Sequence, residues 1–448
     1  MRSFAFFALA SLAVVALPLH AQDAHYWTVQ YGPRASLLGG GVIGSVNDVS
    51  ATFYNPGGLA MADSLSFAIS LNVFQRTETT VEGEVLGRED LMVSHTGLAP
   101  SMLGGAIKGP TAEGGSHFFA YSLITRQRSR YSISDVKIGA PAGYETLASH
   151  VSLRRNASEQ WAGISWAHAI RPNFGIGVTT FVSMRHDSRA MWAEVAGSQA
   201  GEGVVASRLR EFEYDHYIII GKFGALLDLG SFAAGLTLTA PSARVYGSAS
   251  ANYVDVDVKD ETGGDPPQLA VTESDGLSAT HKQPFSIGAG LRGGSGSFQA
   301  YLSAEWFAAL GEYEVLRSGP PQTHLSTRSP EYVVSDERVS VFNWAVSAEQ
   351  RVSRTVTTYA SYATDFSWNS SADTNLAVSS WDIRTVSLGV DLRIRGRSLT
   401  LGGAYGWGSD TTRDLRHLPP EQSLDPPLAF EPVPVGFRSF RLILGFEF

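Results

Sequence analysis

The sequence predicts an all-β fold, a transmembrane antiparallel β-barrel of about fourteen strands with an N-terminal plug, or hatch, inside the lumen. Three observations carry that prediction. Segment after segment alternates apolar and polar side chains with a period of two, the signature of a strand with two different faces. Short and long connections take turns between those segments, as in outer-membrane barrels. No stretch after the leader is apolar over the ~18 residues that a spanning helix needs.

The leader comes first. Arg2 supplies a positive start, residues 4–17 are apolar, and Leu19, His20 and Ala21 form a cleavage site before Gln22. That core is shorter than the ~20 residues of a membrane-spanning helix, so residues 1–21 are expected to be a signal peptide. Residues 22–62 are then the plug and 63–448 the barrel, in the outer membrane of a Gram-negative-type bacterium. With 448 residues, one large barrel uses the length as well as two or three soluble domains would. The 46 glycines and the modest charged fraction of 17% favour strands over surface helices. A net charge of -9 gives no reason to expect nucleic acid, and zero cysteines exclude disulfides and cysteine metal sites. No cofactor or metal is expected.

The wall strands are expected to begin near positions 65, 98, 117, 158, 175, 211, 231, 282, 297, 337, 355, 381, 398 and 436. In the last of them Phe440, Leu442, Leu444 and Phe446 share one face, and Ser439, Arg441, Ile443 and Gly445 the other. A one-residue slip would turn Arg441 toward lipid, costing ~2–4 kcal/mol near the midplane. This strand ends the chain on an aromatic residue, as do the strands read by the outer-membrane barrel assembly machinery. Tight turns fall at 171–173, 228–230, 293–296, 351–354 and 395–397. The connections 77–96, 127–157, 190–210, 247–281, 311–336, 369–380 and 409–435 read as long polar loops. Pro100, Gly104 and Gly105 interrupt one strand, and Phe118 with Phe119 breaks the alternation of the next. These two are the candidates for a defect in the wall.

The stretch 34–59 organises the rest. It runs through Gly39, Gly40, Gly41 and Gly44, then Val46, Asn47, Asp48, Val49, Ser50 and Ala51, and ends on Phe53, Tyr54, Asn55, Pro56, Gly57, Gly58 and Leu59. Gly39, Gly41 and Gly44 match a dinucleotide-binding G-x-G-x-x-G, with Asp63 further on. That pattern needs a following helix, and Asn55 to Gly58 punctuates the place where it would run. The same residues resemble the N-terminal hatch of the FadL-type transporters of hydrophobic compounds, although Gly57 stands where that family carries alanine. The resemblance implies a fourteen-stranded plugged barrel for passive uptake of long-chain fatty acids or aromatic hydrocarbons. It also implies that His25, Tyr26 and Trp27, near the mature N-terminus, contact ligand. Pro56 fixes its own φ and restricts Asn55 to extended backbone, Asn55 can cap the turn, and Gly57 and Gly58 permit positive φ. Asn55, Pro56 and Gly57 are therefore the expected turn from plug to wall.

Charges on the lumen parity are Arg185, Lys222, Arg292, Glu305, Glu349, Asp391, Arg393, Arg441 and Glu447. They are expected to pair with one another, to pin the plug, or to hold a substrate carboxylate. Asp255, Asp257, Asp260, Glu261, Asp265, Glu273 and Asp275 make connection 247–281 acidic. It lacks the ligand spacing of a calcium loop and reads as a solvated surface, with bridging of lipopolysaccharide through divalent ions as the other option. Outer-membrane lipid, a hydrophobic small molecule and the assembly machinery are the expected partners. Ser134 and Lys137 have S-x-x-K spacing without its companion motifs, and neither G-x-S-x-G nor H-E-x-x-H occurs. The protein is expected not to be an enzyme. A FadL-like barrel with a structural or secretion-linked partner role, and an outer-membrane lipid hydrolase with a surface Ser-His pair, are the alternatives.

Overall fold

The structure is a computed structural model that describes residues 24–62, 67–85, 88–108, 116–139, 145–199, 202–259, 268–320, 332–369, 380–410 and 435–447. The expected signal peptide and the onset of the first strand near position 65 lie outside the described residues. In chain order the strands are β1 (Phe67–Val85), β2 (Arg88–Lys108), β3 (His117–Gly139), β4 (Thr146–Arg171), β5 (Phe174–Gln199), β6 (Glu202–Asp228), β7 (Phe232–Thr239), β8 (Ala243–Lys259) and β9 (Gln268–Ser278). They continue as β10 (Ser286–Ser295), β11 (Phe298–Phe307), β12 (Leu310–Arg317), β13 (Val333–Arg338), β14 (Val341–Arg351), β15 (Val356–Asp365), β16 (Asp382–Ile394), β17 (Arg397–Asp410) and β18 (Val435–Glu447). Two short helices precede them, α1 (Pro33–Leu37) and α2 (Ala51–Tyr54), followed by a 3-10 turn, Pro56–Met61.

Fourteen strands form the wall, each antiparallel to its neighbours. β1 pairs with β18 and β5 with β6, so the sheet closes on itself. Closure removes the free edges that lipid cannot satisfy. The expected parity holds along the wall. On β14, Phe342 and Val346 are exposed while Asn343 and Ser347 are buried, and on β18, Phe440 and Leu442 point out while Ser439 and Arg441 point in.

The tight turns stand where the alternation places them, between β4 and β5, β6 and β7, β10 and β11, β14 and β15, and β16 and β17. The long connections differ from expectation: several are strand, not loop. β1 and β2 pair as far as Val85 and Arg88, β3 and β4 as far as Gly139 and Leu147, and β5 and β6 as far as Gln199 and Glu202. Connection 247–281 is largely the hairpin β8–β9, which adds to the outer part of β6, and β12–β13 is a separate hairpin. Their polarity misled the reading because a ladder that rises above the membrane has water on its faces and needs no apolar side.

Phe118 is also no break. It is buried facing inward and Phe119 is exposed facing outward, because at that level the inner face meets protein instead of water. The actual irregularity is one of pairing. β2 and β3 bond only from Met102↔Ile124 to Lys108↔Phe118. Beyond that, β2 keeps its ladder with β1 and β3 its ladder with β4. Pro100, which has no N–H to donate, stands just past the last shared pair.

Residues 24–62 lie across the bore. Leu37 packs against Gly389 and Gly402 of β16 and β17, whereas Pro56 packs against Gly177 and Gly224 of β5 and β6, on the far side of the ring. Gly57 and Gly58 do not take positive φ. Their role is close approach: a Cβ on Gly57 would stand 2.8 Å from the Gly175 carbonyl oxygen, and one on Gly58 would run into that of Val46. The wall reciprocates, since a Cβ on Gly177 would stand 2.5 Å from the Pro56 oxygen. Gly177→Ala is therefore expected to destabilise the barrel by ~1–3 kcal/mol, as overpacking does. Gly293→Ala, at a position with open space around it, should stay within ~0.5 kcal/mol. Thermal unfolding of the detergent-extracted protein, followed by its shift in electrophoretic mobility, compares the two.

Candidate functional site

The site is the filled lumen, and Asn55 is its hinge pin. Fully buried, its Oδ1 accepts from the Gly57 N–H at 3.1 Å, and its Nδ2 donates to the carbonyls of Ile43 at 2.8 Å and of Ala225 in β6 at 3.0 Å. One side chain thus caps the 3-10 turn, ties it to the glycine-rich run and fastens both to the wall. The expected sharp entry into the first strand is in fact this capped turn.

The start of the segment is held by Asp365, at the end of β15. Its carboxylate accepts from the Tyr26 and Trp27 N–H groups at 3.2 and 2.9 Å, from Thr28 Oγ1 at 2.8 Å and from Asn343 Nδ2 at 3.1 Å. His25 Nε2 lies 2.9 Å from the Trp381 carbonyl oxygen. Tyr26 stacks on Phe307 with ring centroids 4.0 Å apart, and the Trp27 indole N–H donates to Glu305 at 3.0 Å. All three expected contact residues therefore stand inside the barrel.

Most of the lumen charges are brought together. Arg185 pairs with Glu159 at 3.0 Å and with Asp187 at 2.8 Å, and Arg155 closes on Asp187 at 2.9 Å. Lys222 stands 3.7 Å from Glu305, and Glu349 takes Arg34 of α1 at 3.1 Å. Arg441 donates to the Thr28 carbonyl, which settles its inward direction. Asp391 accepts from Thr400 and Ser398 of β17. Arg292 pairs with Asp228 at 2.8 Å beside the tight turns, and Arg393 is exposed near that same rim, so these two take no part in holding the segment. Glu305, Glu349 and Arg441 thus bond to the N-terminal segment, whereas Arg185 and Asp391 bond within the wall.

Between segment and wall lies an aromatic box formed by Tyr26, Phe53, Trp161, Phe181 and Phe307. Two cations look into it. Arg126 lies 5.4 Å from the Phe53 ring centre and 5.0 Å from that of Trp161, and Lys222 lies 4.9 Å over Phe53. Arg126 also donates to the Tyr26 carbonyl and to the Tyr31 hydroxyl. It shares the inward parity of the buried Phe118, Ala120, Ser122 and Ile124, an alternation that the adjacent Phe118 and Phe119 mask, and the bulge between Thr125 and Gln127 shifts the parity of β3 only beyond it, where Gln127 and Ser129 turn inward. The empty space in the box is about 30 Å³. Toward the tight turns the bore widens into a vestibule of about 760 Å³, lined by Ser45, Asn47, Met61, Asn173 and Arg292 among others.

At the opposite end the hairpin β12–β13 packs on Phe212, Tyr214 and the inner side of β8. Asp336 accepts from Tyr313 at 2.8 Å and from Arg338 at 3.1 Å, and Arg338 stacks 4.3 Å over Trp368, whose N–H donates to the Ala24 carbonyl. His281, beside this cluster, is held well below its ordinary pKa by burial and then by Arg185, Arg338, His216 and Arg155.

The surface Ser-His pair that would mark a hydrolase is half present. Ser134 Oγ lies 3.1 Å from His150 Nε2 on the extension of β3 and β4. Glu194 of β5 faces His150 in the ladder, yet among the described residues no carboxylate bonds to that imidazole. Without an orienting acceptor the pair is an incomplete nucleophile. Among the described residues, no group of three His, Cys, Asp or Glu side chains is placed to hold a metal ion.

A closed antiparallel barrel with an apolar outer belt and a bore occupied by its own leading segment defines the chain as an outer-membrane β-barrel. Solved structures sharpen the class. The chain is similar to a Pseudomonas aeruginosa FadL homologue (14% identity, TM-score 0.61, covering 97% of this chain and 99% of the other). It is also similar to the Pseudomonas putida toluene transporter TodX (10%, 0.55, 96% and 99%) and the Ralstonia pickettii toluene transporter TbuX (10%, 0.51, 93% and 98%). The fold is therefore that of the FadL-type channels. No family model and no curated protein matches the chain.

The cluster of Asp336, Arg338 and His281 beside β12 and β13 carries a pH dependence. Because folding depresses the His281 pKa, its stabilising contribution is complete above the ordinary histidine value of ~6.5 and is lost as pH falls below it. The protection of β12 and β13 amides from hydrogen exchange, corrected for the intrinsic rate at each pH, is expected to fall between about pH 7 and pH 5, and His281→Gln should flatten that response.

Proposed function

We propose that the protein is a passive uptake channel for hydrophobic molecules across the outer membrane, with residues 22–62 as its plug and 63–448 as its wall. One observation carries this reading. The wall parts beside the box: Ile124 makes the last outer bond pair with β2, and Arg126, two positions on, lines the box and reaches over Phe53 and Trp161. An apolar solute gains nothing from a water-filled bore, whereas a box that abuts a gap in the ladder offers a path into the bilayer. Movement of the plug into the vestibule is the second exit.

The box suits a flat ring or an alkyl chain. TodX and TbuX are toluene transporters by description, which favours a neutral aromatic solute. Arg126 and Lys222 favour a molecule with a carboxylate head, such as a long-chain fatty acid. Strand β18, with its outward aromatic and aliphatic face, is the segment we assign to recognition by the barrel assembly machinery.

A second reading, a barrel that serves a partner instead of a solute, is favoured by the smallness of the box. About 30 Å³ is room for one water molecule, so a ligand must displace Tyr26 or its neighbours to enter. Mass spectrometry of molecules co-purified with the detergent-extracted protein separates the two. An apolar acid or arene supports the channel, and an empty bore with unchanged growth on such compounds supports the partner role. In the first case, Lys222→Met should weaken a bound acid about tenfold and leave toluene nearly unaffected.

The gap has its own test. Ser101 and Thr125 are the next positions beyond the last shared pair, so the double variant Ser101→Cys with Thr125→Cys would staple β2 to β3. Oxidation is expected to cut uptake of an apolar substrate by an order of magnitude or more, and reductant to restore it. Equal uptake in both redox states would reject the lateral route.

A further inference from the structure

The box already holds an aromatic ring, and the ring belongs to the chain. Tyr26 is buried, its ring lies nearly parallel to that of Phe307 at 4.0 Å and 13°, and Trp368 joins both in one apolar cluster. The backbone on either side of that ring is fastened. The Tyr26 N–H donates to Asp365 at 3.2 Å, and the Tyr26 carbonyl accepts from Arg126 at 3.0 Å. With the backbone fixed, the ring keeps few staggered positions, and its hydroxyl lands where the tether sends it.

That landing place is unfinished. The Tyr26 hydroxyl is buried and faces the Arg338 guanidinium, with the Asp336 carboxylate close by, yet it falls short of a hydrogen bond to either. Asp336 Oδ2 accepts from Tyr313 and from Arg338, whereas its Oδ1, also buried, has no donor among the described residues. Arg338 itself lies 4.3 Å over Trp368, so this polar group closes the box directly above the stacked rings. Buried oxygens of this kind are nearly always bonded, because leaving one bare costs more than a typical bond returns. A hydroxyl and a carboxylate oxygen both left bare in one cluster therefore point to a molecule that bonds there when Tyr26 does not occupy the stack.

An untethered phenol meets the requirement. The same ring, stacked on Phe307 but free of the backbone, can slide until its O–H donates to Asp336 and its oxygen accepts from Arg338. A carboxylate in that place would face Asp336, and a hydrocarbon would leave both partners unbonded. The remaining cations of the box are occupied, since Arg126 holds the Tyr26 carbonyl and the Tyr31 hydroxyl and Lys222 stands 3.7 Å from Glu305. We infer that the box is a site for a neutral monocyclic phenol, with its ring on Phe307 and its hydroxyl between Asp336 and Arg338. Tyr26 is the chain's own stand-in for that solute, and it keeps the box closed until a better-bonded ring replaces it. The inference rests on the channel reading and chooses among the solutes that the box suits.

The experiment uses the full chain in detergent and equilibrium dialysis of radiolabelled ligands, with protein-free micelles as reference. Four para-substituted toluenes of similar size are compared: p-cresol, p-xylene, 4-methylanisole and 4-methylbenzoate. p-Cresol is expected to bind at least tenfold more tightly than p-xylene, which lacks the oxygen, and than 4-methylanisole, which accepts but cannot donate. It should exceed 4-methylbenzoate by a similar factor. Tyr26→Gly removes the resident ring and should tighten the three neutral ligands at least tenfold while keeping their order. Asp336→Asn should bring p-cresol within about threefold of p-xylene; should that variant not fold, the wild-type series and Tyr26→Gly measure the same preference. p-Cresol bound no more tightly than p-xylene or 4-methylanisole, or more weakly than 4-methylbenzoate, overturns the inference. So does a Tyr26→Gly variant that binds no more tightly than wild type, or an Asp336→Asn variant that keeps the full preference. In any of these cases, binding of p-xylene or of decanoate leaves the channel reading in place. A chain that binds none of these molecules, with or without Tyr26, loses both readings.

Discussion

Lipid offers no partner to a backbone N–H or C=O, and this chain meets that constraint by closing a fourteen-stranded sheet through β1 and β18. The rest of the structure follows from closure. A ring of that size leaves a bore wider than its own inward side chains fill. Residues 24–62 fill it, and they do so by backbone approach: Pro56, Ile43 and Leu37 sit against wall glycines that leave room for no Cβ. The glycines of the stretch 34–59 and those of β5, β6, β7, β10, β16 and β17 are two halves of one packing solution.

Electrostatics then decides how the filling is held. A buried charge without a partner is expensive, and the lumen answers with chains of pairs such as Arg155, Asp187, Arg185 and Glu159. At three places the partner is the N-terminal segment itself, through Arg34 to Glu349, Trp27 to Glu305, and the Thr28 carbonyl to Arg441. Asp365 is a fourth fastening of a different kind, since it receives two backbone N–H groups and a hydroxyl from three consecutive residues. The segment is therefore bound by polar contacts at its start and by close packing at its end. Its first residues are the part that can be exchanged for something else without dismantling the docked Asn55 turn.

How much of this was legible in the sequence depends on whether a residue's environment has a period. Wall strands do, so the parity that turns Phe342 and Leu442 outward and Arg441 inward could be read directly. Arg126 has the inward parity of Phe118 and Ile124 as well, but two adjacent phenylalanines, Phe118 and Phe119, make β3 look unalternating, and the bulge just beyond Arg126, which turns Gln127 and Ser129 inward, leaves no mark on composition. The strand extensions above the membrane were hidden for a related reason: with water on their faces, residues such as Ser132, Arg154 and Ser188 are as polar as a loop. Asn55 was legible as a cap through its Asn-Pro sequence, while its second and third bonds, to Ile43 and Ala225, depend on chain positions that no local pattern relates. The lumen charges were legible as a set, but their pairing was not, since partners such as Lys222 and Glu305 stand on strands that the ring brings face to face.

On the proposed channel reading, the closed box sets what a ligand must displace. Residues 26–28 are held by six hydrogen bonds, three to Asp365 and one each to Glu305, Arg126 and Arg441, at ~1 kcal/mol each by the usual net value, together with the stacking of Tyr26 on Phe307 at about 0.5–1.5 kcal/mol. An arene or the end of an acyl chain that buries ~150–250 Å² regains roughly 4–6 kcal/mol, less than withdrawal of all three residues forfeits. Rotation of the Tyr26 ring alone forfeits the stacking and leaves the backbone bonds in place, which such a solute offsets. On this reading the door is the Tyr26 side chain and not the whole segment, and it yields to a molecule that is itself apolar, so selectivity needs no large preformed pocket.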